Sequence, residues 1–363
     1  MTTAEKANSP VSVSVVIPVF NGGSDIEKCL AAISASAYPV TECILVDDAS
    51  TDGMAEPAAR RHGARVLRMD RQCGPAVARN RGVEEAVGDI IFFTDADVLL
   101  HPDAIGRAVE ALKSDADISA VIGSYDVMPG DPSFFSQYRN LFHHWVHQTG
   151  AEEASTFGTG CGAVRRQPFV ELNGFHADFR KPSIEDIEFG TRLRRSGYRI
   201  RLLKKMLGTH MKQWNLRNTI RTDLLQRALP WMSLVLRDGR VTNDLNLSYR
   251  SRIATALAGL LGLIAFLLVV AGHAPAIMPT GVFLSGCAIC GAVSVPAGRR
   301  VVTRIMSVAL TCAALLVSFW RPAGGLALLP LGLVLGIVAT HLAFYIYVMR
   351  RRNLAFAFGV VPM

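Results

Sequence analysis

Between residues 11 and 125 the apolar pattern switches regularly between a period of two and a period of 3.6, a rhythm that few folds satisfy. The opening segment, Val11-Ser12-Val13-Ser14-Val15, alternates like a strand and leads to a helix with Ile26, Leu30 and Ile33 on one face. Ser24 stands where a cap of that helix belongs, and Glu27 follows three residues on as a capping-box partner. Next come a strand over 42–46, a helix opening near Asp52, and a strand over 65–69. After Gly74, Pro75 takes a first helical position, and that helix runs to about Val87. A strand over 89–94, a helix over 102–114 and a strand over 118–125 complete the run. Alternating strands and helices predict an α/β fold with a mostly parallel sheet and helices on both faces.

In such a sheet ligands bind outside the carboxyl ends of the strands. Three polar loops emerge there: Pro18-Val19-Phe20-Asn21, Asp47-Asp48-Ala49-Ser50 and Asp95-Ala96-Asp97. Asp95 and Asp97 sit two positions apart where a buried strand ends, so they can share one hard divalent cation and, through it, a diphosphate. Acidic residues also end strands simply by starting turns, and that reading stays open for Asp48 as well. Convergence of three loops on one edge favours a site.

Charged residues crowd the first two thirds of the chain, whereas 253–349 is nearly continuous hydrocarbon. Four stretches there, 253–271, 277–296, 305–320 and 326–349, are each close to the roughly 20 residues that a bilayer requires. Arginines sort to one side of them: Arg250 and Arg252 before the first, Arg299, Arg300 and Arg304 between the second and third, and Arg350, Arg351 and Arg352 after the fourth. The positive-inside rule then places both termini and the N-terminal domain in the cytoplasm of a multi-pass inner-membrane protein. Residues 1–10 are polar and predicted to be disordered, and 351–363 form a cytoplasmic tail. The net charge of +8 favours anionic lipid and an anionic substrate, and no nucleic-acid partner is expected. The seven cysteines are scattered and read as small apolar residues rather than as a zinc site.

Two further segments carry mixed signals. His143, His144 and His147 have helical spacing within an aromatic-rich stretch, open to metal binding or to a helix lying at a membrane interface. Residues 216–236 place Arg217, Arg221 and Arg227 opposite Leu224, Leu225 and Leu229, which suits amphipathic helices over 216–250 lying among lipid headgroups, interrupted at Pro230.

The loops resemble the ordered motifs of the family 2 glycosyltransferases: Val15-Val16-Ile17-Pro18-Val19-Phe20-Asn21, Val46-Asp47-Asp48-Ala49-Ser50-Thr51-Asp52-Gly53, Gly74-Pro75-Ala76-Val77-Ala78-Arg79-Asn80 and Thr94-Asp95-Ala96-Asp97. The resemblance implies a GT-A fold over 11–215 followed by a C-terminal transmembrane region, a nucleotide-diphosphate sugar donor, a Mg²⁺ or Mn²⁺ cofactor, and inversion at the anomeric carbon. By it Pro18, Phe20, Asp48 and Arg79 line the nucleoside pocket, Asp95 sits at ribose and metal, and Asp97 ligates the metal. His210 resembles a histidine of the metal shell, although a lone histidine is as readily structural. Thr159-Gly160-Cys161-Gly162-Ala163 resembles the acceptor loop, with Glu185 on the same side.

Within Ser183-Ile184-Glu185-Asp186 the resemblance makes Asp186 the general base, while Ser183 and Asp186 also have capping-box spacing. A helix N-terminus would lower the pKa of that carboxylate and weaken it as a base. The family's processive synthases carry Gln-x-x-Arg-Trp; here the candidates read Gln213-Trp214 and Gln226-Arg227-Ala228-Leu229-Pro230-Trp231, neither with that spacing. The expectation is therefore transfer of one sugar to a lipid or polyprenyl-phosphate acceptor, with basic residues such as Arg165, Arg166, Arg180 and Arg192 on the acceptor side. The alternatives are a processive synthase and an inactive nucleotide-sugar sensor.

Overall fold

Alternate residues of strand β1 (Val13–Val19) serve two separate cores, one on each face of a sheet. Val13, Val15 and Ile17 pack with Ile26, Leu30 and Ile33 of α1 (Asp25–Ser34), Ala58 of α2 (Ala55–His62) and Ile105 and Leu112 of α4 (Ala104–Ser114). Val16 faces Ala78 and Val83 of α3 (Pro75–Glu84) and Phe189 and Leu193 of α7 (Glu185–Arg195). Period-two alternation is thus what gives the sheet its two helical layers. The computed structural model describes residues 11–238, 245, 249, 252–260, 336, 339 and 341–352.

The remaining strands are β2 (Glu42–Asp47), β3 (Arg65–Arg68), β4 (Ile90–Thr94), β5 (Val98–Leu100), β6 (Ile118–Tyr125), β7 (Glu153–Ala154), β8 (Cys161–Arg165) and β9 (Arg199–His210). Their order is β3-β2-β1-β4-β8-β6-β9-β5, with β7 paired to β9. The expected mostly parallel sheet is corrected to a mixed one. β1 runs parallel to β2 and β4, β2 to β3, and β6 to β9. β8 runs antiparallel to β4 and β6, and β5 and β7 antiparallel to β9. The insertion of β8 escaped the sequence because Cys161-Gly162-Ala163 lacks strand periodicity and reads as a small-residue loop. Gly162 is required there by contact, since a Cβ would fall 2.1 Å from the Gly158 carbonyl oxygen.

Several local expectations also change. Ser24 makes no capping bond, and Glu27 instead binds Arg61 and His62 of α2, which hold its carboxyl down at about 2. Asp52 does not open α2; its carboxylate accepts from the Gly23 and Met54 amides and ties the first two polar loops together. Helix α3 ends at Glu84, short of Val87. Helix α5 (Phe134–Thr149) packs on the sheet, with His144 Nδ1 2.6 Å from the Tyr125 carbonyl and His147 Nδ1 2.8 Å from that of Gly123. These two histidines tie α5 to β6. Helix α6 (Arg166–Glu171) follows β8, and Arg165 between them donates from Nε to the Ile118 carbonyl at 3.0 Å. Arg192 likewise binds Glu188 and the Gly174 carbonyl. Both arginines are structural, not acceptor-facing.

Residues 216–238 form α8 (Leu216–Arg221), a π-helical stretch (Thr222–Ala228) and α9 (Leu229–Asp238). The break expected at Pro230 is displaced into the π-helix before it. Proline has no N–H to donate to the carbonyl four residues back, and that carbonyl, of Gln226, accepts instead from Ser183 Oγ at 2.7 Å. The chain divides into two compact units, Met1–Leu245 and Asn246–Met363. In the second, helix Leu342–Arg351 buries Phe344 and Val348. Among the described residues no helix is long and apolar enough to cross a membrane. The expected spans lie mostly outside the described residues, as do 1–10 and most of the tail.

Five phenylalanines, Phe93, Phe157, Phe169, Phe175 and Phe189, form one cluster beneath the carboxyl edge, with ring centroids 5.0–6.2 Å apart. Phe175→Ala is expected to cost about 3–5 kcal/mol by leaving a cavity in this cluster, measured by denaturant unfolding of the full chain in detergent.

Candidate active site

Strain marks the carboxyl edge of the sheet. Asn21 and Ala49 both have positive φ, 52° and 63°. Asparagine tolerates the left-handed region by local hydrogen bonding, and Asn21 Oδ1 accepts from the Thr51 amide at 2.8 Å. Alanine has no such compensation, so about 1 kcal/mol or more is held at Ala49 by its surroundings. Its neighbours supply them: Asp47 Oδ1 accepts from the Ser50 amide at 2.8 Å, and Arg68 binds the other Asp47 oxygen. That turn points Asp48 inward, where its two oxygens accept from the Cys73 and Gly74 amides at 2.7 and 2.8 Å. Asp48, expected at the nucleoside, thus first anchors the loop that starts α3; each oxygen keeps a further lone pair. Pro18 and Phe20 flank this turn, and the Phe20 ring is 44% exposed.

Arg79 rises from α3 into the middle of the site. Its guanidinium is 4% exposed, donates to Asp95 Oδ1 at 2.6 Å and Glu185 Oε1 at 2.9 Å, and lies 5.8 Å from the centroid of Phe175. Burial works against its charge, but Asp95, Glu185 and Asp186 outweigh burial and raise its pKa. One buried cation therefore joins Asp95, expected on the donor side, to Glu185, expected on the acceptor side.

Asp97 and His210 meet where β5 pairs with β9, with Asp97 Oδ2 3.7 Å from His210 Nε2. Burial raises the Asp97 carboxyl, opposed by His210 and reinforced by Asp95. Burial likewise lowers His210. The two carboxylates are hard oxygen donors of the kind that Mg²⁺ and Mn²⁺ take, and the imidazole adds a nitrogen donor better suited to Mn²⁺ than to Mg²⁺. Among the described residues no three His, Cys, Asp or Glu side chains stand in a closed metal-ligand arrangement, since Asp95 is turned towards Arg79.

Asp186 sits in the first turn of α7, where Ile184 rather than Ser183 occupies the cap position. Its Oδ1 accepts from the Ile187 amide at 2.8 Å and its Oδ2 from the Thr159 amide at 3.3 Å, so it faces the loop before β8. Burial first, and then the Glu185 charge, push its pKa up to about 6 despite the opposing pull of Arg79 and the two amides. The lowering expected from the helix terminus is overridden. A carboxylate titrating near neutrality is matched to general-base work.

The residues expected around the acceptor divide. Gly160 lies at the cleft, where a Cβ would fall 2.2 Å from Tyr125 Oη and 3.5 Å from Asp95 Oδ2. Cys161 belongs to the core, 6% exposed with its thiol pushed up to about 12 by burial, and Gly162 packs under Gly158. Those two corrections follow from β8 being a strand. Sequence reasoning passed over Tyr125, whose ring stacks on His210 at 4.6 Å and on His143 at 4.4 Å, and Arg227, which the π-helix carries to within electrostatic range of Asp186. Tyr125 gave no signal beyond ending a strand; Arg227 was visible among the basic residues of 216–236 and in Gln226-Arg227-Ala228-Leu229-Pro230-Trp231, whose spacing departs from the processive motif.

With this geometry in place, residues 14–172 match a family model described as Glycosyl transferase family 2, and residues 142–213 match one described as the N-terminal domain of galactosyltransferase. The dolichol-phosphate mannosyltransferase of Pyrococcus furiosus is 33% identical over 135 residues, 36% of this chain and 38% of that protein. The undecaprenyl-phosphate 4-deoxy-4-formamido-L-arabinose transferase of Aeromonas hydrophila is 32% identical over 162 residues, 42% of this chain and 49% of that protein. The glycosyltransferase AglE of Haloferax volcanii is 38% identical over 106 residues, 28% of this chain and 35% of its own. The matched regions thus span about a third to a half of these relatives. A mannosyltransferase of Pyrobaculum calidifontis, solved with GDP-Man and Mn²⁺, superposes with a TM-score of 0.54 at 21% identity, covering 92% of this chain and 88% of its own, a likeness of fold.

Arg79→Leu is expected to cost about 3–5 kcal/mol, because it strands the buried Glu185 carboxylate and frees Asp95. Denaturant unfolding of the full chain checks it, and a double Arg79→Leu/Glu185→Leu variant is expected to recover part of the loss.

Proposed function

Because residues 14–172 match the glycosyl transferase family 2 model, we propose that the chain moves one sugar from a nucleotide-diphosphate donor to a lipid-borne acceptor, with inversion, at the cytoplasmic face of a membrane. The observation that supports the reading is the bridge of Arg79 between Asp95, assigned to the donor, and Glu185, assigned to the acceptor, with Asp186 next in the chain. Pro18, Phe20 and Asp48 are assigned to the nucleoside. Asp95, Asp97 and His210 would hold the Mg²⁺ or Mn²⁺, which supplies charge neutralisation for the departing diphosphate. An acceptor oxygen forms the new bond to the anomeric carbon, the bond to the diphosphate breaks with its electron pair, and the acceptor proton passes to Asp186.

The lipid nature of the acceptor is supported by the helices beside the site. Ile220, Leu224, Leu225, Leu229, Met232 and Leu236 are each more than half exposed, interspersed with Arg217, Arg221 and Arg237. An apolar stripe with a basic remainder fits a headgroup layer, and Ser183 ties this segment to the turn that carries Asp186. Relatives named for dolichol phosphate and undecaprenyl phosphate favour a second reading of the acceptor as a polyprenyl phosphate. Such an acceptor is already ionised near neutral pH, and Asp186 would then be dispensable as a base.

Transfer in membranes holding the full chain, with a panel of nucleotide sugars and extracted lipid, is expected to give a metal-dependent glycolipid that Asp97→Ala abolishes. Asp186→Asn is expected to lose at least about 100-fold with a hydroxyl acceptor and little with a phosphate acceptor. With a hydroxyl acceptor, kcat/KM should fall as pH drops through about 6, because the base works only deprotonated and its pKa is raised to there. Leu224→Glu/Leu225→Glu is expected to raise the acceptor KM while leaving nucleotide binding unchanged; an acceptor KM equal to that of wild type would remove the lipid-docking role.

A further inference from the structure

Ala49 holds a positive φ of 63°, a region that glycine enters freely and asparagine or aspartate enter with local hydrogen bonds. Such a conformation persists only where the surroundings over-determine it, and outliers of this kind gather at ligand-holding turns. The clamp here comes from Arg68, a residue outside the ordered motifs. Arg68 ends β3, at one edge of the sheet, directly across from Asp47 at the end of β2. Its guanidinium forks over the turn: Nη1 donates to Asp47 Oδ2, and Nη2 donates to the Ser50 carbonyl at 2.9 Å. Asp47 and Ser50 flank the pair Asp48-Ala49, so one planar group ties down both ends of the strained turn.

Two more bonds complete the frame. The Met69 amide donates to the Asp47 carbonyl at 2.8 Å, and the Asn21 amide donates to Ser50 Oγ at 2.9 Å. Burial of the ion pair is lopsided, with the Arg68 side chain 62% exposed and that of Asp47 only 3%. Two exposed partners would contribute little. Here the carboxylate is enclosed, so loss of the arginine leaves a buried charge supported by the Ser50 amide.

The turn aims Asp48, whose oxygens accept from the Cys73 and Gly74 amides. Cys73, with Met69, Asp70 and Arg71, lines a hollow of about 420 Å³. β3 leads from Arg68 directly into that lining, so one residue anchors both Asp48 and the start of the hollow's wall.

We propose that Arg68 is a positioning residue for nucleoside binding, which holds the Ala49 turn in its strained form and so keeps Asp48 aimed at the nucleoside. The inference rests on the assignment of Asp48 to the nucleoside under the proposed function. Arg68 acts through Asp47 and Ser50, and its benefit is pre-organisation: the turn is set before the nucleotide arrives, so binding does not have to order it. Without the clamp an alanine at 49 relaxes towards negative φ and carries Asp48 away, whereas a glycine there has no such preference.

The test uses the full chain in nanodiscs, as wild type, Arg68→Ala, Arg68→Lys, Ala49→Gly and the double Arg68→Ala/Ala49→Gly. Arg60→Ala removes another exposed arginine and controls for net charge. Titration calorimetry with UDP and GDP in the presence of Mn²⁺ reads the affinity. Arg68→Ala is expected to weaken the bound nucleotide about tenfold, and Arg68→Lys, which keeps the charge but not the fork, by less. In the Ala49→Gly background the same Arg68→Ala change is expected to cost only about threefold, and Arg60→Ala nothing. Equal affinity in wild type and an Arg68→Ala variant of native circular dichroism would overturn the proposal. So would a tenfold loss that persists undiminished beside Ala49→Gly, since Arg68 would then act by some route other than the turn. Wild type that binds neither nucleotide would overturn the proposal together with the nucleoside assignment. Wild type that binds one but transfers no sugar would overturn the proposed function and leave the positioning role standing.

Discussion

The site depends on one buried guanidinium. Arg79 stands on a helix packed against one face of the sheet, Asp95 follows a central strand, and Glu185, 106 positions after Arg79, opens a helix; only the cation makes these three one structure. Burying it is costly, and its Nε has no hydrogen-bond partner among the described residues, so the arrangement survives because two carboxylates and the Phe175 ring enclose it. Such a bridge is a poor source of stability compared with apolar packing. Its value lies in holding two carboxylate-bearing turns at a fixed separation.

Around that bridge, negative charge is kept in excess. Asp95, Asp97, Glu185 and Asp186 share one cleft, and a single arginine cannot satisfy all of them. The consequence is seen in the two members left over: Asp97 and Asp186 both have raised pKa values, each chiefly through burial and further through a neighbouring carboxylate. In the proposed reaction these two excesses have different outlets, a divalent cation for Asp97 and a proton for Asp186. The helix terminus beneath Asp186 pulls the other way, and burial wins because a first-turn dipole is worth about 1 kcal/mol or less in most settings.

Pro230 shows how a local rule acts at a distance. The ring removes one backbone bond, and the orphaned Gln226 carbonyl, in the π-helical stretch before it, finds Ser183. A break foreseen in the sequence became a tie between the apolar helices and the carboxylate they neighbour.

The alternation of residues 11–15, the continuous apolar run ending at Phe93, the apolar face of Ile26, Leu30 and Ile33, and the Gly74-Pro75 start were legible because each is a local pattern read against water. They determined an α/β sheet with helices on both faces and brought Asp48, Arg79 and Asp95 to one edge. Only tertiary structure decided that β8 enters between β4 and β6, because strand insertion is settled by the space between partners and not by the periodicity of five residues. For the same reason Cys161 turned from a cleft residue into a core one, and Ser24 lost Glu27 to Arg61 and His62 of a neighbouring helix. Tyr125 had no local signature, since what distinguishes it is the pair of imidazole rings, His143 and His210, that stack on it once the chain has folded.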